Sequence, residues 1–386
     1  MRYTGKFEVM LILNRIILSI VLLVFASGSI WAQQNERPWW LTLEEGKLLF
    51  RSGFYGEALT AFEDARRERN ARFTRMEQDF IFLLSAPQVR RMGDSLEQVE
   101  RYIDERREGA AAAVLNELYY RVSRDSLGGS AAAALRELDR LKSYPEAEFW
   151  LGETYRAEGE LSIALRQYER ALNYRNLLET PGFDIEILYK ITDVQRVRGN
   201  YQEMERRAKE IIEGPGPTGA PRDELWGANQ IRSAMIRLLE NEGINRFLTL
   251  YRHHDAGTER AHRLLGFFYY STNRFIPALE HLMFAFLIQN TVLIEEVIRR
   301  DYDYTFDSLE NLMDYIRRRP ELLSFVEETE YYRTVYYMAS ALYATGRSIP
   351  AMQLWSFLAR SSDAGEWGNR ARRSPTPYTE RPLEMP

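Results

Sequence analysis

One spacing of small and large residues occurs in two stretches of the chain: LGETYRAEGELSIALRQYERAL at residues 151–172 and LGFFYYSTNRFIPALEHLMFAF at residues 265–286. In each, a glycine is followed at fixed offsets by an alanine, a large side chain and a second alanine, and the segment that starts at Gly46 keeps these offsets. Because two helices cross closely only where both present small residues, we predict a repeated hairpin in which the glycine meets the first alanine. The predicted packing positions are Gly46, Ala58, Phe62, Ala65, Leu151, Gly152, Tyr155, Ala164, Tyr168, Ala171, Leu265, Gly266, Tyr269, Ala278, Leu282 and Ala285.

A residue that tolerates left-handed backbone stands five residues before the central position of every copy. These residues are Gly53, Gly159, Gly199, Asn273 and Gly346, of which Gly199 and Gly346 belong to two weaker copies. Glycine and asparagine are the usual residues where a helix ends in a left-handed turn. The register therefore predicts five hairpins with equivalent turns.

The pattern resembles the tetratricopeptide repeat (TPR) family, most completely at 145–178 and 259–292 and for most positions at 39–72. Glu148 and His262 stand where the family usually has tryptophan near the start of the first helix. The resemblance implies an all-α fold, an α-solenoid of antiparallel helical hairpins in a TPR-like superhelix, without β-sheet.

The intervals between central positions favour a continuous array. The interval from Ala58 to Ala164 equals three units of about 35 residues. The intervals from Met204 to Ala278 and from Ala278 to Ala351 each equal two such units. We therefore predict about nine hairpins in total.

Composition divides this array. The run GPGPTGAP predicts a Pro/Gly loop at 214–222, because successive prolines and glycines do not sustain a helix. It separates N-terminal TPR-like repeats at 33–213 from C-terminal ones at 223–360. Residues 361–386 are rich in proline, arginine, serine and threonine, which predicts a disordered tail.

The N-terminus has the pattern of a secretory signal. Basic residues precede an uncharged apolar run, Ile16–Ala26, and small residues lead to a cleavage site after Ala32. We therefore predict a signal peptide at 1–32. The alternative is an uncleaved anchor, since residues 16–32 carry no charge and approach the length of a short membrane span.

Composition excludes several classes of chemistry. The 386-residue chain has no cysteine, which rules out disulfides, thiol nucleophiles and a Cys-lipidated lipoprotein. It has four histidines, only five lysines among 51 basic residues, and a formal net charge of −5, which disfavours nucleic-acid binding. We expect no catalytic residues, no cofactor and no bound metal.

Three motifs imitate ligand sites. Gly214, Gly216 and Gly219 spell G-x-G-x-x-G, but they follow a predicted helix, whereas the dinucleotide-binding motif follows a strand. His253, His254, His262 and Asp255 suggest a metal site, for which a packed histidine and a solvated loop are the preferred interpretation. Asp301, Asp303 and Asp307 suggest a calcium loop, but Phe306 and Leu312 replace its glycine and glutamate.

The resemblance implies that the first helix of each hairpin lines a partner-binding groove. The predicted groove residues are Phe149, Glu153, Arg156, Tyr189, Asp193, Arg196, Arg263, Phe267, Tyr270, Tyr336 and Tyr343, with Ser340 on the same face. Aromatic residues and arginine give a peptide-binding surface large contact area and fork-shaped donors. The alternative is that the aromatic rings pack against neighbouring hairpins.

The leading hypothesis is a non-enzymatic, exported scaffold that binds one or more cell-envelope proteins in the periplasm. Membrane contact is then expected only through residues 1–32, if they are not cleaved. One alternative is an enzyme acting on cell-wall glycan through a carboxylate pair in the groove. Another is a membrane-anchored accessory subunit of an envelope or flagellar-motor assembly.

Overall fold

The computed structural model describes residues 38–82, 86–124, 129–215 and 222–373. These residues form helices and contain no β-strand, so the all-α prediction is confirmed for them. The predicted signal peptide at 1–32 lies outside the described residues. The chain divides into two compact units, Met1–Leu177 and Leu178–Pro386.

Unit 1 contains seven described helices. They are α1 (Trp39–Arg51), α2 (Tyr55–Phe82), α3 (Ala86–Asp104), α4 (Glu108–Arg124), α5 (Gly129–Leu141), α6 (Pro145–Ala157) and α7 (Leu161–Asn173).

Unit 2 contains the remaining described helices. They are α8 (Phe183–Val197), α9 (Tyr201–Glu213), α10 (Glu224–Gly227), α11 (Asn229–Leu250), α12 (Glu259–Ser271), α13 (Phe275–Arg300), α14 (Leu309–Ile316), α15 (Pro320–Glu328), α16 (Tyr331–Ala344), α17 (Ser348–Arg360) and α18 (Gly365–Arg372).

All five predicted turn residues adopt left-handed backbone. The φ angles are 82° at Gly53, 86° at Gly159, 71° at Gly199, 61° at Asn273 and 84° at Gly346. Each residue follows the first helix of a packed pair, namely α1/α2, α6/α7, α8/α9, α12/α13 and α16/α17. The predicted hairpin turns are therefore confirmed, and glycine or asparagine occupies the position because other side chains are strained there.

A close helix crossing explains three of the glycines. A Cβ atom on Gly152 would lie 2.6 Å from the Tyr168 ring, and one on Gly266 would lie 2.6 Å from Leu282 Cγ. Gly46 faces Phe62 in the same way, at 2.5 Å. The structure differs from the prediction in one detail. The glycine contacts the large side chain that stands between the two alanines, whereas the first alanine was the predicted partner. The first alanine of each copy, such as Ala164, is fully buried beside this contact.

In unit 1, hairpin α1/α2 packs directly against α6, the first helix of the next predicted copy. Their shared core includes Leu43, Phe62, Ala147 and Leu151. The later part of α2 extends beyond the hairpin and packs with α3, α4 and α5 around a second core. These three helices therefore do not separate the two hairpins, although the interval between their central alanines predicted intervening repeats.

Unit 2 follows the same arrangement. Helix α9 packs on α12 and α13 packs on α16, so three hairpins are in contact in order. Helix α11 packs on α13 and α17, while α14 and α15 form small contacts with α13 and α16. The helices between hairpins again lie beside the contacting hairpins, although the intervals between the central positions of this unit predicted further repeats.

Among the described helices, α13 has the length and apolarity of a membrane span. Of its most apolar stretch, 78% is buried within the protein. Phe284, Phe286 and Leu287 are fully buried there. Its composition is accordingly that of a core helix between α12 and α16.

The two segments expected to be irregular are only partly described. Residues 216–221 of the predicted loop lie outside the described residues, and Arg222 N–H donates to the Gly214 carbonyl across them at 2.9 Å. The predicted disordered tail instead contains a 3-10 turn at Ser362–Ala364 and then α18, whose Trp367 packs against Tyr336 and Tyr337. The contact of this half-buried indole with the two tyrosine rings stabilises a helix that the composition did not indicate. Residues 374–386 lie outside the described residues.

The crossing predicts a specific stability change. Gly46→Ala should lower the free energy of unfolding by about 1–3 kcal/mol, because its Cβ overlaps the Phe62 ring. Gly56→Ala in α2 is the matched control, since a Cβ there meets nothing within 4 Å, and it should be neutral or stabilising. Urea unfolding followed by circular dichroism measures both. Equal effects of the two substitutions would contradict the crossing.

Candidate functional site

The structure buries most of the predicted groove residues. The buried members are Phe149, Glu153, Tyr189, Phe267, Tyr270, Tyr336 and Ser340. Of the remaining members, Arg156 and Arg196 are exposed, whereas Asp193, Arg263 and Tyr343 are half-buried. A buried ring offers no contact area to a partner, so the second set is the part of the predicted surface that a partner can reach.

Neighbouring helices account for this burial. The ring of Phe267 in α12 lies edge-on to Tyr337 of α16, with centroids 5.6 Å apart, and the Arg333 guanidinium lies 4.6 Å above it. Tyr189 of α8 donates a hydrogen bond to the Gly257 carbonyl at 2.7 Å. These aromatic residues therefore connect elements within unit 2.

The accessible members are mainly charged. The side chain of Arg156 is 42% exposed, and its Nη2 lies 3.2 Å from a carboxylate oxygen of buried Glu153. Asp193 pairs with Arg260. Arg196, in the last turn of α8, is exposed. Each unit thus presents charged side chains from the first helix of a hairpin.

A buried polar cluster lies in unit 2, and we call Asp223, His253, His262 and His281 the histidine cluster. Asp223 Oδ2 lies 2.8 Å from His253 Nε2 and 3.0 Å from His262 Nε2. The Nδ1 atoms of His262 and His281 are 3.0 Å apart. The indole of Trp226 stacks on His281, with ring centroids 4.2 Å apart.

Local backbone contacts place these side chains. Asp223 caps α10, since its Oδ1 accepts from Trp226 N–H at 2.7 Å, and its own N–H donates to the Ile212 carbonyl at 3.1 Å. His253 N–H donates to Thr291 Oγ1 of α13 at 2.9 Å. The cluster thereby attaches the start of α10 and the segment before α12 to hairpin α12/α13.

Burial and hydrogen bonding determine the protonation states of the side chains in the histidine cluster. Burial alone would raise the pKa of Asp223, but hydrogen bonds from His253 and His262 hold it well below its ordinary value. Burial lowers the pKa of His262, and burial together with neighbouring His262 lowers that of His281 further. A neutral His262 that donates Nε2–H to Asp223 accepts at Nδ1, so His281 Nδ1–H donates to it.

The cluster is suited to holding helices together. Its four side chains are buried, so they offer no path to a substrate. Of the residues that suggested a metal site, His253 and His262 come together, whereas His254 is exposed and pairs with Glu295 at 2.8 Å. The described ranges contain no group of three or more His, Asp or Glu residues arranged to hold a metal ion.

Sequence reasoning missed two members of the cluster, Asp223 and His281. Asp223 lies far before His253 in the chain, and no local spacing links them. The sequence feature that could have identified Asp223 is its place just before a short helix, where aspartate is a common N-cap residue. An N-cap places the carboxylate at the start of the helix.

Comparison with known proteins gives relatives without a described activity. The chain is 25% identical over 342 residues to an uncharacterized protein of Treponema pallidum (strain Nichols), covering 88% of this chain and 89% of that protein. It is 20% identical over 215 residues to an uncharacterized protein of Borreliella burgdorferi, covering 52% of this chain and 66% of that protein. No protein-family model matches the chain.

The histidine cluster predicts acid sensitivity. Because the folded state holds His262 and His281 neutral, the unfolded state binds more protons below about pH 6.5. The free energy of unfolding should therefore fall as the pH drops below that value, by up to about 1.4 kcal/mol per pH unit for each histidine. Urea unfolding at a series of pH values measures this slope.

A matched pair of variants isolates the cause. His281→Leu should flatten the slope, whereas His254→Gln should leave it unchanged because His254 is exposed. If His281→Leu keeps the full slope, other groups govern the acid response.

Proposed function

We propose that the protein is a non-enzymatic, exported scaffold that binds other cell-envelope proteins through a TPR-like array of helical hairpins. The observation that carries the proposal is the recurrence of one hairpin design. Gly46, Gly152 and Gly266 each face a large side chain of the second helix at the same offset, and all five turns have a left-handed residue, glycine or Asn273, at the same position. Stacked hairpins of this kind form extended binding surfaces.

The distribution of polar groups supports a binding role. Glu153, which the sequence placed in the groove, accepts hydrogen bonds from Arg156 and from the buried Tyr168 hydroxyl. Glu259 is similarly held by Arg263 and by Gln289 at 2.7 Å. These carboxylates hold helices together, which leaves the exposed charged side chains of the first helices as the surface for a partner.

Export is part of the proposal and is supported by the N-terminal sequence. The basic start, the apolar run Ile16–Ala26 and the small residues before Gln33 are the three parts of a signal peptide. The absence of cysteine suits an oxidising compartment, because no disulfide can form incorrectly.

Substitution of the two exposed arginines tests partner binding. Arg156→Gln combined with Arg196→Glu should reduce crosslinked capture of envelope proteins several-fold, because both guanidinium groups are accessible. Glutamine at 156 avoids placing a second carboxylate beside buried Glu153. Circular dichroism should show unchanged helix content.

Arg198→Glu is the matched control, because this arginine is exposed at the end of α8 and lies outside the predicted groove. It should capture partners as the native chain does. Equal loss in the control would mean that net charge, and not the groove, governs capture.

Mass spectrometry of the exported protein should also find an N-terminus near Gln33, and an intact Met1 would contradict cleavage.

A further inference from the structure

The outer side of α1 exposes large apolar side chains. Leu41 and Leu48 are 40% and 62% exposed, and neighbouring Trp40 is 54% exposed. At about 100° per residue, these positions lie on one side of the helix. The opposite side carries Leu43 and Gly46, which are buried in hairpin α1/α2. A solvated helix rarely keeps an apolar outer side of this kind.

The hairpin register shows that Leu41 and Leu48 stand at packing positions. Leu41 lies twelve residues before the turn residue, and Leu48 lies five before it. The equivalents of Leu41 in the other hairpins are fully buried: Ala147, Ile187, Ala261 and Thr334. The equivalents of Leu48 are at most 7% exposed: Thr154, Val194, Phe268 and Ala341. Helix α1 thus exposes two positions that the other four first helices bury.

Inside the chain, the second helix of one hairpin covers these positions on the next. Ala147 of α6 shares a core with Phe62 of α2. Phe268 of α12 stacks on Tyr201 of α9, with ring centroids 6.1 Å apart. Helix α13 likewise packs on α16. The outer side of α1 is therefore a helix-packing surface, and the occupant that fits it is another helix.

The last hairpin offers no matching surface. Helix α18 packs on both of its helices, α16 and α17, with Trp367 against Tyr336 and Tyr337. The first hairpin is thus open at α1, whereas the last is covered by the chain itself. When the same surface of two copies meets, the contact has two-fold symmetry and makes a closed dimer.

The charges on this side select an antiparallel arrangement. Glu44 and Arg51 are both exposed on the outer side of α1, two helical turns apart. Glu44 reaches Lys47 at 2.6 Å and still has 55% of its side chain exposed, while Arg51 forms no salt bridge within the described residues. Parallel helices would oppose like charges, whereas antiparallel helices bring each Glu44 to an Arg51 of the second copy.

We propose that two copies of this chain form a dimer through antiparallel α1 helices. In this register Leu48 lies beside the two-fold axis, next to Leu48 of the second copy. Leu41 lies against Phe54 of the second copy, which is 56% exposed in the single chain. Two Glu44–Arg51 ion pairs lie between these apolar contacts. A single helix pair about 20 Å long predicts a weak dimer.

The chain's own N-terminus does not supply the missing helix. Cleavage after Ala32 leaves residues 33–37 before Pro38, which is fewer than two helical turns and contains no apolar side chain. The proposal uses this cleaved N-terminus, which is part of the proposed function, but it does not use the binding of envelope partners. Loss of partner capture and loss of the dimer are therefore distinguishable.

Sedimentation velocity on the secreted chain, with its N-terminus verified by mass spectrometry, tests the proposal. Between about 1 and 100 µM the native chain should shift from monomer to dimer and form nothing larger. Glu44→Arg and Arg51→Glu should each weaken the dimer about tenfold, because each opposes like charges twice across the axis. An equimolar mixture of the two variants should restore the dimer, since every contact between them again joins opposite charges.

Leu48→Glu tests the apolar contact. It should abolish the dimer up to about 100 µM, because it buries two carboxylates side by side at the axis. Tyr120→Glu is the matched control, since Tyr120 is 68% exposed on α4 of the same unit, and it should dimerise as the native chain does. A native chain that stays monomeric throughout would overturn the proposal. So would a dimer that Leu48→Glu leaves intact, or charge variants that do not recover on mixing.

The cysteine-free chain allows a second readout that adds no charge to α1. Leu48→Cys should oxidise to a disulfide-linked dimer, whereas Tyr120→Cys should stay monomeric on a non-reducing gel. If Leu48→Cys forms no disulfide at concentrations where the native chain is dimeric, the register is wrong. This measurement stays informative if a charged variant fails to fold.

Discussion

In hairpins α1/α2, α6/α7 and α12/α13, a glycine of the first helix lies opposite a large side chain of the second, which lets the two helices approach closely. The missing Cβ lets Phe62, Tyr168 and Leu282 lie against the backbone of the preceding helix. A left-handed turn residue then fixes how many residues join the helices. Together these two constraints set the rotation of both helices, and so decide which side chains meet the neighbouring hairpin and which remain outside.

The remaining helices attach to this framework without interrupting it. Helices α3, α4 and α5 share a core with the extension of α2, and α11 lies against α13 and α17. In the histidine cluster, Asp223 at the start of α10 forms buried, charge-assisted hydrogen bonds with His253 and His262. These bonds hold the segment before α11 against hairpin α12/α13. An insertion that packs beside the hairpins leaves their contact intact, which explains hairpin spacings longer than one repeat.

The features that depend on local spacing could be predicted from the sequence, and those that depend on distant partners could not. Gly152, Tyr168 and the turn at Gly159 follow from fixed offsets within one hairpin. The burial of Phe267 depends on Tyr337 of the next hairpin, and no offset inside a hairpin contains that information. Asp223 and the histidines come together for the same reason through tertiary packing. The predicted groove residues lie on the first helices of the hairpins, but their exposure could not be derived from the sequence.

A double-mutant cycle at the Gly152–Tyr168 crossing measures whether the missing Cβ makes room for the ring. The free energy of unfolding is measured for the native chain, Gly152→Ala, Tyr168→Ala and the double variant. If the Cβ and the ring compete for one space, the loss caused by Gly152→Ala should largely disappear once Tyr168 is truncated, with a coupling energy of about 1–3 kcal/mol. Additive losses in the double variant would show that the glycine and the ring act independently, and would contradict the account.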